Sequence, residues 1–402
     1  MGRWFVARYW LANLSVSLLF LAPALVTLAL KVGDLVDSSQ APRSLSLVTG
    51  VGAIVAMVGN PVFGRLSDRT ISRWGMRRPW IVAGLVGGTV GIVIVALAPT
   101  VGVVLVGWCL VQLMFNAVLA AVAAVLPDQV PSQQRGRIAG LLGACLPVAS
   151  VLGTFIVQLF AGNLLAMFIA PCVVGAAFLV LFTVALDDRR RSTTPGPWSV
   201  RELAGTFYVS PRANPDFAWA FVSRFLFVMA YAFLVTYQVY FLIDELDATV
   251  DDVPHLLFVA TSVQAAALVL ASLVCGRVSD RRRRRKPFVA MAAVTYAGAL
   301  LVIAAAGNFS TFLVGMTLAG VGFGAYMAVD LALVVDVLPD PTTAAKDLGI
   351  LNIAGALPFA VAPTVAPAIL ILAGGSYSAL YAVAALCALG AAATVMAIRS
   401  IA

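Results

Sequence analysis

Two charged side chains, Arg224 and Asp330, lie well inside long apolar stretches of this chain. A lone charge at the centre of a membrane costs about 2.5 to 3.5 kcal/mol on insertion scales, so such residues are expected to face a partner or a wet cavity. Arg224 lies 7 residues from one end of its stretch, near Phe217, and Asp330 lies 8 residues from the corresponding end of another, near Leu338. Because a helix rises about 1.5 Å per residue, both residues lie at a similar depth.

The sequence therefore predicts that Arg224 and Asp330 face each other or share one cavity. Two roles remain open for such a pair. A permanent ion pair would be structural, whereas a carboxylate that exchanges Arg224 for a proton or a solute hydroxyl would couple an ion to a solute.

Neutral polar side chains form a second group of candidates, because each is also costly in an apolar stretch unless it meets a cavity or a partner. Gln112 and Asn116 lie one helical turn apart on one face of the stretch at 102 to 126. The later stretches supply three more candidates: Tyr237, Gln238 and Tyr326. Amide and phenol groups match the hydroxyl groups of a sugar without demanding charge, although some could instead bond to backbone or to neighbouring helices. Polar residues near span ends or on other helices are weaker candidates: Asn13, Asn60, Gln158, Gln264 and Asn352.

The composition indicates that these residues belong to a membrane protein. Hydrophobic residues make up 62% of the 402 residues, charged residues make up 11%, and the mean hydropathy is +1.01. A soluble fold cannot hide that much apolar surface. A span needs about 20 apolar residues, so the chain has room for roughly a dozen helices with short connections. We expect no soluble catalytic or output domain, which disfavours an enzyme and a non-transporting sensor.

The residue types that build catalytic or metal sites are scarce in the sequence. His255 is the single histidine, and the five cysteines lie in apolar stretches without the paired spacing of a metal site or a disulfide framework. The sequence holds neither two histidines one turn apart with a glutamate, nor a Gly-x-Ser-x-Gly turn, nor a phosphate-binding loop. We therefore expect no catalytic residue, no metal and no cofactor.

Apolar runs broken by charge, Pro or Gly predict an all-α membrane protein with twelve transmembrane helices. The first six helices fall at about 9 to 31, 44 to 66, 79 to 98, 102 to 126, 137 to 160 and 164 to 186. The second six fall at about 217 to 243, 255 to 278, 287 to 306, 311 to 338, 347 to 372 and 377 to 398. Residues 187 to 216 form the only long polar linker, so two six-helix bundles are predicted at 1 to 186 and 217 to 402.

The distribution of Lys and Arg predicts the orientation. With both termini cytoplasmic, 23 of the 26 basic residues lie on the cytoplasmic side, and the exceptions are Lys31, Arg43 and Arg224. Positively charged loops stay in the cytoplasm, so this orientation in the plasma (inner) membrane is favoured. The basic run from Arg281 to Lys286 is then an orientation signal and a contact for anionic lipid, and we expect no nucleic acid as a partner.

The two halves of the sequence repeat each other at a fixed offset. Gly64 to Arg69 matches Gly276 to Arg281, and Leu126 to Asp128 matches Leu338 to Asp340, each pair 212 residues apart. Two similar six-helix halves imply a pseudo-two-fold axis along the membrane normal, with the solute path between the halves.

The residue types of these paired loops are typical of a gate. Gly64 and Gly276 would remove side-chain bulk where a helix end approaches a neighbour. Asp68 and Asp280 can accept hydrogen bonds from orphan donors at a neighbouring helix N-terminus. Arginines in and after the repeated loops can pair with carboxylates or lipid phosphates: Arg69, Arg73, Arg77 and Arg281. The alternative is that these loops only fix topology. Two glycine pairs elsewhere, Gly84 with Gly88 and Gly320 with Gly324, have the spacing that lets helices pack closely.

The loop after the second predicted helix reads GRLSDRTISRWGMRRPWIV, and here the chain resembles the major facilitator superfamily. The signature of that family in this loop is Gly, three residues, Asp and then basic residues, and the resemblance covers nearly the whole chain. Residues 72 to 80 (SRWGMRRPW) and 326 to 333 (YMAVDLAL) look more specifically like the glycoside-pentoside-hexuronide symporters and the related sucrose transporters. The resemblance implies the major facilitator fold, two pseudo-symmetric six-helix bundles in which helices 1, 4, 7 and 10 line a central cavity.

The sequence departs from two patterns of the superfamily. Sodium-coupled melibiose-type members carry acidic residues in helix 2, where this chain offers only Asn60. Drug antiporters usually show Gly-Pro-x-x-Gly-Gly in helix 5, where residues 145 to 150 read CLPVAS. We therefore expect proton-coupled symport of a sugar or a similar small polar solute by alternating access. The alternative is proton-driven export of an amphipathic drug-like compound.

Overall fold

The computed structural model describes residues 3 to 131, 134, 138, 141 to 188, 214 to 282, 285 to 336, 351 and 353 to 398. Within these residues the secondary structure is helical, and we label the helices α1 to α12. The first six are α1 (Trp4–Leu35), α2 (Ala41–Arg69), α3 (Arg78–Leu97), α4 (Val101–Gln129), α5 (Cys145–Gln158) and α6 (Leu164–Ala185). The second six are α7 (Pro215–Asp244), α8 (Val253–Arg282), α9 (Lys286–Ala304), α10 (Phe309–Asp336), α11 (Pro358–Leu372) and α12 (Tyr377–Met396).

The predicted all-helical membrane fold is confirmed. Over the described ranges, 11 helices are long and apolar enough to cross a membrane, α11 being counted from Ile353. The remaining helix, α5, has 14 residues, because a turn at residues 143 and 144 separates it from helical residues 141 and 142 and so interrupts the span predicted at 137 to 160. α1 is longer than the predicted span at 9 to 31 and contains a π-helical turn at Pro23–Thr27, where the proline lacks an N–H for the helical ladder.

Local residues set several helix ends. Thr100, Asn163 and Ser376 are the N-caps of α4, α6 and α12, and each side-chain oxygen accepts a hydrogen bond from a backbone N–H three residues later. Such caps satisfy donors that the first turn of a helix leaves unpaired. Helices α2, α3, α7 and α9 have a proline in their first two positions, where its missing N–H costs nothing.

The chain forms two compact units by residue contacts. Unit 1 is Met1–Pro197 with Val250–Phe258, and unit 2 is Trp198–Thr249 with Val259–Ala402. In unit 1, α4 packs against α2 and α3, and α1 packs against α5 and α6. In unit 2, α12 packs against α7 and α9, and α9 packs against α10. The boundary predicted at 187 to 216 stays a prediction, because residues 189 to 213 lie outside the described ranges.

Glycines allow the closest of these helix contacts. A Cβ at Gly84 would lie 2.6 Å from the Met114 carbonyl oxygen, and a side chain at Gly88 would collide with the Phe115 ring. Side chains at Gly320 and Gly324 would likewise collide with the backbone of α8. The predicted packing role of both glycine pairs is confirmed.

Gly64 and Gly276 behave differently from these packed glycines. Among the described residues, a Cβ at Gly64 would meet no atom within 4 Å, and one at Gly276 would make an ordinary contact of 3.7 Å with Ala328. The predicted role of these two glycines at a close approach of helix ends stays a prediction. Both lie near helix ends, at the last turns of α2 and α8.

Candidate functional site

The Arg224–Asp330 ion pair joins α7 to α10 in unit 2. Arg224 Nη1 lies 2.9 Å from Asp330 Oδ2. The two side chains are 19% and 7% exposed, so solvent screens their attraction only weakly. The prediction that these residues face each other is confirmed, and the helices bring together residues 106 positions apart in the chain.

An aromatic pair lies beside the ion pair. Phe227, three residues after Arg224, stacks on Tyr326, with ring centroids 3.7 Å apart and planes inclined by 6°. Tyr326 precedes Asp330 by one helical turn, and its hydroxyl interacts electrostatically with both charged groups. That hydroxyl is buried and makes no hydrogen bond of normal geometry with any described residue. Tyr326 therefore brings a neutral donor and acceptor to the pair.

The Arg224 guanidinium uses only part of its donor capacity in the ion pair. Its Nε is buried and has no hydrogen-bond partner among the described residues. A Cβ at Gly355, in the helical turn before α11, would lie 3.7 Å from both Nε and Nη2 of Arg224. Because glycine has no side chain, the Nε–Nη2 edge faces bare backbone there. Gly355 could not be recognised from the sequence, since an isolated glycine in an apolar stretch gives no local signal.

Tyr237 and Gln238 of α7 are both buried in unit 2. The Tyr237 hydroxyl donates to the Pro363 carbonyl oxygen across 3.5 Å and so contributes to the contact of α7 with α11. The Nε2 of Gln238 is buried and finds no partner within the described part of the chain. An unpaired buried polar group costs about 1 to 3 kcal/mol, so Gln238 is the better placed of the two to bind a solute.

Gln112 and Asn116 differ in their surroundings in unit 1. Asn60 Nδ2 of α2 donates to Asn116 Oδ1 of α4 across 3.2 Å, and Asn116 Nδ2 donates to the Gln112 carbonyl oxygen across 2.7 Å. The Asn116 amide is thus used between helices, whereas the Gln112 side chain is half-buried beside Gly52. Asn60, which the sequence analysis ranked low, is the partner of Asn116.

A second polar cluster, which we call the Arg77 cluster, consists of Ser67, Asp68, Arg77 and Asp128 in unit 1. The Arg77 guanidinium contacts Asp68 Oδ1 at 2.6 Å, Asp128 Oδ2 at 2.9 Å and Ser67 Oγ at 2.6 Å. Burial by itself lowers the pKa of Arg77, but the hydrogen bonds to Asp128 and Asp68 more than offset it, so the pKa lies above its usual value. Arg77 therefore stays charged and holds the ends of α2 and α4 to the start of α3.

Asp188 supplies a contact that the sequence analysis missed. Its Oδ2 accepts hydrogen bonds from the backbone N–H groups of Arg77 and Arg78, 2.7 and 2.8 Å away, at the start of α3. The sequence predicts Asp68 as an acceptor at a helix N-terminus, but at α3 Asp188 has that role and Asp68 binds the Arg77 side chain. Gly75, with φ +103°, lets the loop pass so close to Asp188 that a Cβ there would collide with it.

Replacing Asp188 by Ala is expected to destabilise unit 1, because the first N–H groups of α3 lose their acceptor. Loss of such a cap costs about 1 kcal/mol. Thermal unfolding of the purified variant should show a lower midpoint than the wild-type protein. Asp187→Ala is the matched control, because the contact recorded for Asp187 is made by its backbone carbonyl, which accepts from Gln129 Nε2 at 2.7 Å. Equal midpoints for the two variants would contradict the capping role.

The second-half counterpart of the Arg77 cluster is described only in part. Arg281 is exposed on α8, while Arg69, at the end of α2 in unit 1, is half-buried. The Asp280 side chain lies outside what the structure describes, as do Leu338, Pro339 and Asp340. The gating roles predicted for these residues stay predictions.

His255 lies at the start of α8 and hydrogen-bonds Gln158. Its Nδ1 is 2.9 Å from Gln158 Oε1, in an exposed setting. Within the described residues, no group of three or more His, Cys, Asp or Glu side chains is arranged to hold a metal ion.

Similarity to known proteins shows the family. The family model described as Major Facilitator Superfamily matches residues 9–261 and 254–400. The tetracycline resistance protein, class G, of Vibrio anguillarum is 30% identical over 171 residues, which are 42% of this chain and 41% of that protein. The chain is thus aligned with about two fifths of the length of this curated relative.

Two solved structures share the fold over nearly the whole chain. The nucleoside transporter NupG has a TM-score of 0.78 at 14% identity, covering 98% of this chain and 99% of its own. A D-xylose-proton symporter has a TM-score of 0.71 at 14% identity, covering 98% of this chain and 97% of its own. With the family model matched along both halves, the chain belongs to the Major Facilitator Superfamily.

Proposed function

We propose that this transporter couples proton movement to the movement of a small polar solute by alternating access, with Arg224 and Asp330 as the coupling pair. The observation that carries the proposal is the shielded contact of 2.9 Å between the two side chains. Protonation of Asp330 removes the attraction that holds Arg224, and a poorly solvated guanidinium then gains by meeting another acceptor. One proton thereby changes the partner of Arg224, as a coupling site requires.

A sugar or a similar hydroxyl-bearing solute fits the neutral groups of unit 2. The hydroxyl of Tyr296 and the Nε2 of Gln238 are buried without hydrogen-bond partners among the described residues, and the buried hydroxyl of Tyr326 lies beside Asp330. Such neutral donors and acceptors complement hydroxyl groups. The resemblance of residues 72 to 80 to the glycoside-pentoside-hexuronide symporters and the name of the D-xylose-proton symporter support this solute class.

Export of an amphipathic drug-like compound is the second candidate. It is favoured by the 30% identity to a protein named for tetracycline resistance. This candidate predicts that overexpression raises drug resistance and supports no growth on any sugar. The same coupling pair would serve export, with proton and solute moving in opposite directions.

The Arg77 cluster is our candidate for a gate, because it holds three helix ends through one side chain. In this proposal Gly64, Asp68 and Arg69 act in the first half and Gly276, Asp280 and Arg281 in the second. The Lys and Arg distribution supports an inner-membrane location with both termini in the cytoplasm, where the arginine clusters contact anionic lipid.

Transport by the purified protein in liposomes tests the proposed function. Labelled sugars, polyols and tetracycline are offered with and without an imposed pH gradient. We expect accumulation of one class only when the gradient is present, and its loss with a protonophore. Equal flux with and without the pH gradient would contradict the coupling proposal, and transport of tetracycline alone would favour the export candidate.

A further inference from the structure

A cavity of about 560 Å³ lies in unit 2 where three of the membrane spans end. It is bordered by the starts of α7 and α9 and by the end of α12, and its lining includes Asp216, Trp219, Lys286, Met396 and Ile398. The volume is within the range of about 300 to 1,000 Å³ that small-molecule sites occupy. Spans end where the apolar core of a membrane meets the headgroup layer, so this cavity lies at the depth of lipid headgroups.

Lys286 and Asp216 give the lining of this cavity one charge of each sign. Lys286 Nζ donates to the Ile398 carbonyl oxygen across 2.5 Å, which satisfies an acceptor just after the end of α12. An ammonium group has three N–H donors, so this bond leaves two that a ligand can use. α7 and α9 both begin at the cavity, and the positive ends of their dipoles add to the attraction of Lys286 for an anion. A carboxylate has about four acceptor sites, so Asp216 can accept from a cation beside that anion.

The apolar part of the lining is partly exposed. Trp219, in the second turn of α7, is 41% exposed, and Met396, the last residue of α12, is 53% exposed. At the end of a membrane span such side chains contact lipid, and tryptophan is enriched at this depth. A soluble phosphate compound would leave these apolar side chains without a partner. An amphiphile with a charged head and an apolar chain contacts both kinds of lining residue.

We propose that this cavity binds the headgroup of a phosphatidylethanolamine molecule of the surrounding membrane. The lipid phosphate accepts from Lys286 Nζ, the lipid ammonium donates to Asp216, and the acyl chains lie against Trp219 and Met396. Phosphatidylcholine has the same net charge, but its ammonium is fully methylated and has no N–H to donate. Phosphatidylglycerol has a phosphate and no cation. The bound lipid ties the start of α7 to the start of α9, and its binding is independent of the proposed transport function.

Lipid retention by the purified protein tests this proposal. The protein is exchanged into detergent micelles that hold equal amounts of phosphatidylethanolamine, phosphatidylcholine and phosphatidylglycerol with identical acyl chains. Native mass spectrometry then identifies the lipids that remain bound to the protein. We expect a single phosphatidylethanolamine to be retained about tenfold in preference to either of the other lipids, because its head alone makes charge-assisted hydrogen bonds to both Lys286 and Asp216.

Two variants separate the contributions of the two charges. Lys286→Gln keeps a donor for the Ile398 carbonyl but removes the ammonium, so retention of phosphatidylethanolamine should fall about tenfold. Asp216→Asn leaves the phosphate contact in place, so the lipid still binds, but its preference over phosphatidylcholine should fall to about one. Arg277→Gln and Asp247→Asn are the matched controls, because both side chains are exposed and neither lines this cavity.

The wild-type protein provides an independent measurement if a variant fails to fold. Its retention of lipid should fall stepwise as the ethanolamine nitrogen is methylated to that of phosphatidylcholine, because each methyl group removes one N–H donor. Soluble phosphoethanolamine, which has the head without the chains, should not displace the lipid. Equal retention of phosphatidylethanolamine and phosphatidylcholine, stronger retention of phosphatidylglycerol, displacement by the soluble head, or an unchanged lipid preference in both variants would each overturn the proposal.

Discussion

The Asp330→Asn transporter should exchange solute across a liposome membrane but no longer accumulate it against a gradient when a pH difference is imposed. The amide preserves the size of the side chain and a hydrogen-bond acceptor for Arg224, so binding and the conformational change can continue. The amide does not bind a proton at the pH values of the experiment, so the pH gradient cannot drive accumulation of the solute. The expected accumulation ratio falls from that of the wild type to about one.

Counterflow and gradient-driven uptake, measured on the same liposomes, separate the two activities. Asp247→Asn is the matched control, because Asp247 is exposed in the turn after α7 and its φ of 51° suits asparagine as well as aspartate. This control should accumulate solute normally. Undiminished accumulation by the Asp330→Asn protein would show that this carboxylate does not carry the coupled proton and that the ion pair is structural.

Replacement of Arg77 by Ala should give the largest loss of stability among single substitutions in the Arg77 cluster. Arg77 is 4% exposed and its guanidinium contacts Asp68, Asp128 and Ser67. The Asp68 side chain is 58% exposed, so water screens the Arg77–Asp68 pair and we expect it to contribute little to stability. The contact with the less exposed Asp128 and the buried bond to Ser67 dominate, and their loss should cost about 2 to 3 kcal/mol.

Thermal unfolding in detergent measures this effect, with Arg73→Ala as the matched control because Arg73 is exposed in the same loop. We expect a clearly lower midpoint for Arg77→Ala and an unchanged one for Arg73→Ala. Arg77→Lys should lie between them, since a lysine keeps the charge but cannot contact three acceptors with one planar group. A midpoint for Arg77→Ala equal to that of the control would mean that the cluster does not hold the helix ends together.

The sequence determined the membrane fold, because the signals for it are local. Apolar runs of about 20 residues must cross the membrane as helices to satisfy their backbone groups. The charges of Arg224 and Asp330 contrast with those runs, and their similar depths along two helices were enough to predict that they face each other or share one cavity. The packing role of the small-xxx-small glycines could also be predicted, since their spacing places them on one face of a single helix.

Tertiary structure decided which side chains become partners. Asn116 meets Asn60 of another helix instead of pointing only toward a cavity, and Asp188 takes the helix-capping place that its sequence position did not suggest. Gly64 belongs to the repeated loop motif, yet a Cβ there would contact none of the residues that the structure describes. Gly355 belongs to no sequence motif, yet it lies against the Nε–Nη2 edge of Arg224 that the ion pair leaves unused. Contacts between residues so far apart in the sequence depend on how the helices pack. Helix packing in turn depends on how many apolar side chains fit together, and no local sequence pattern shows this.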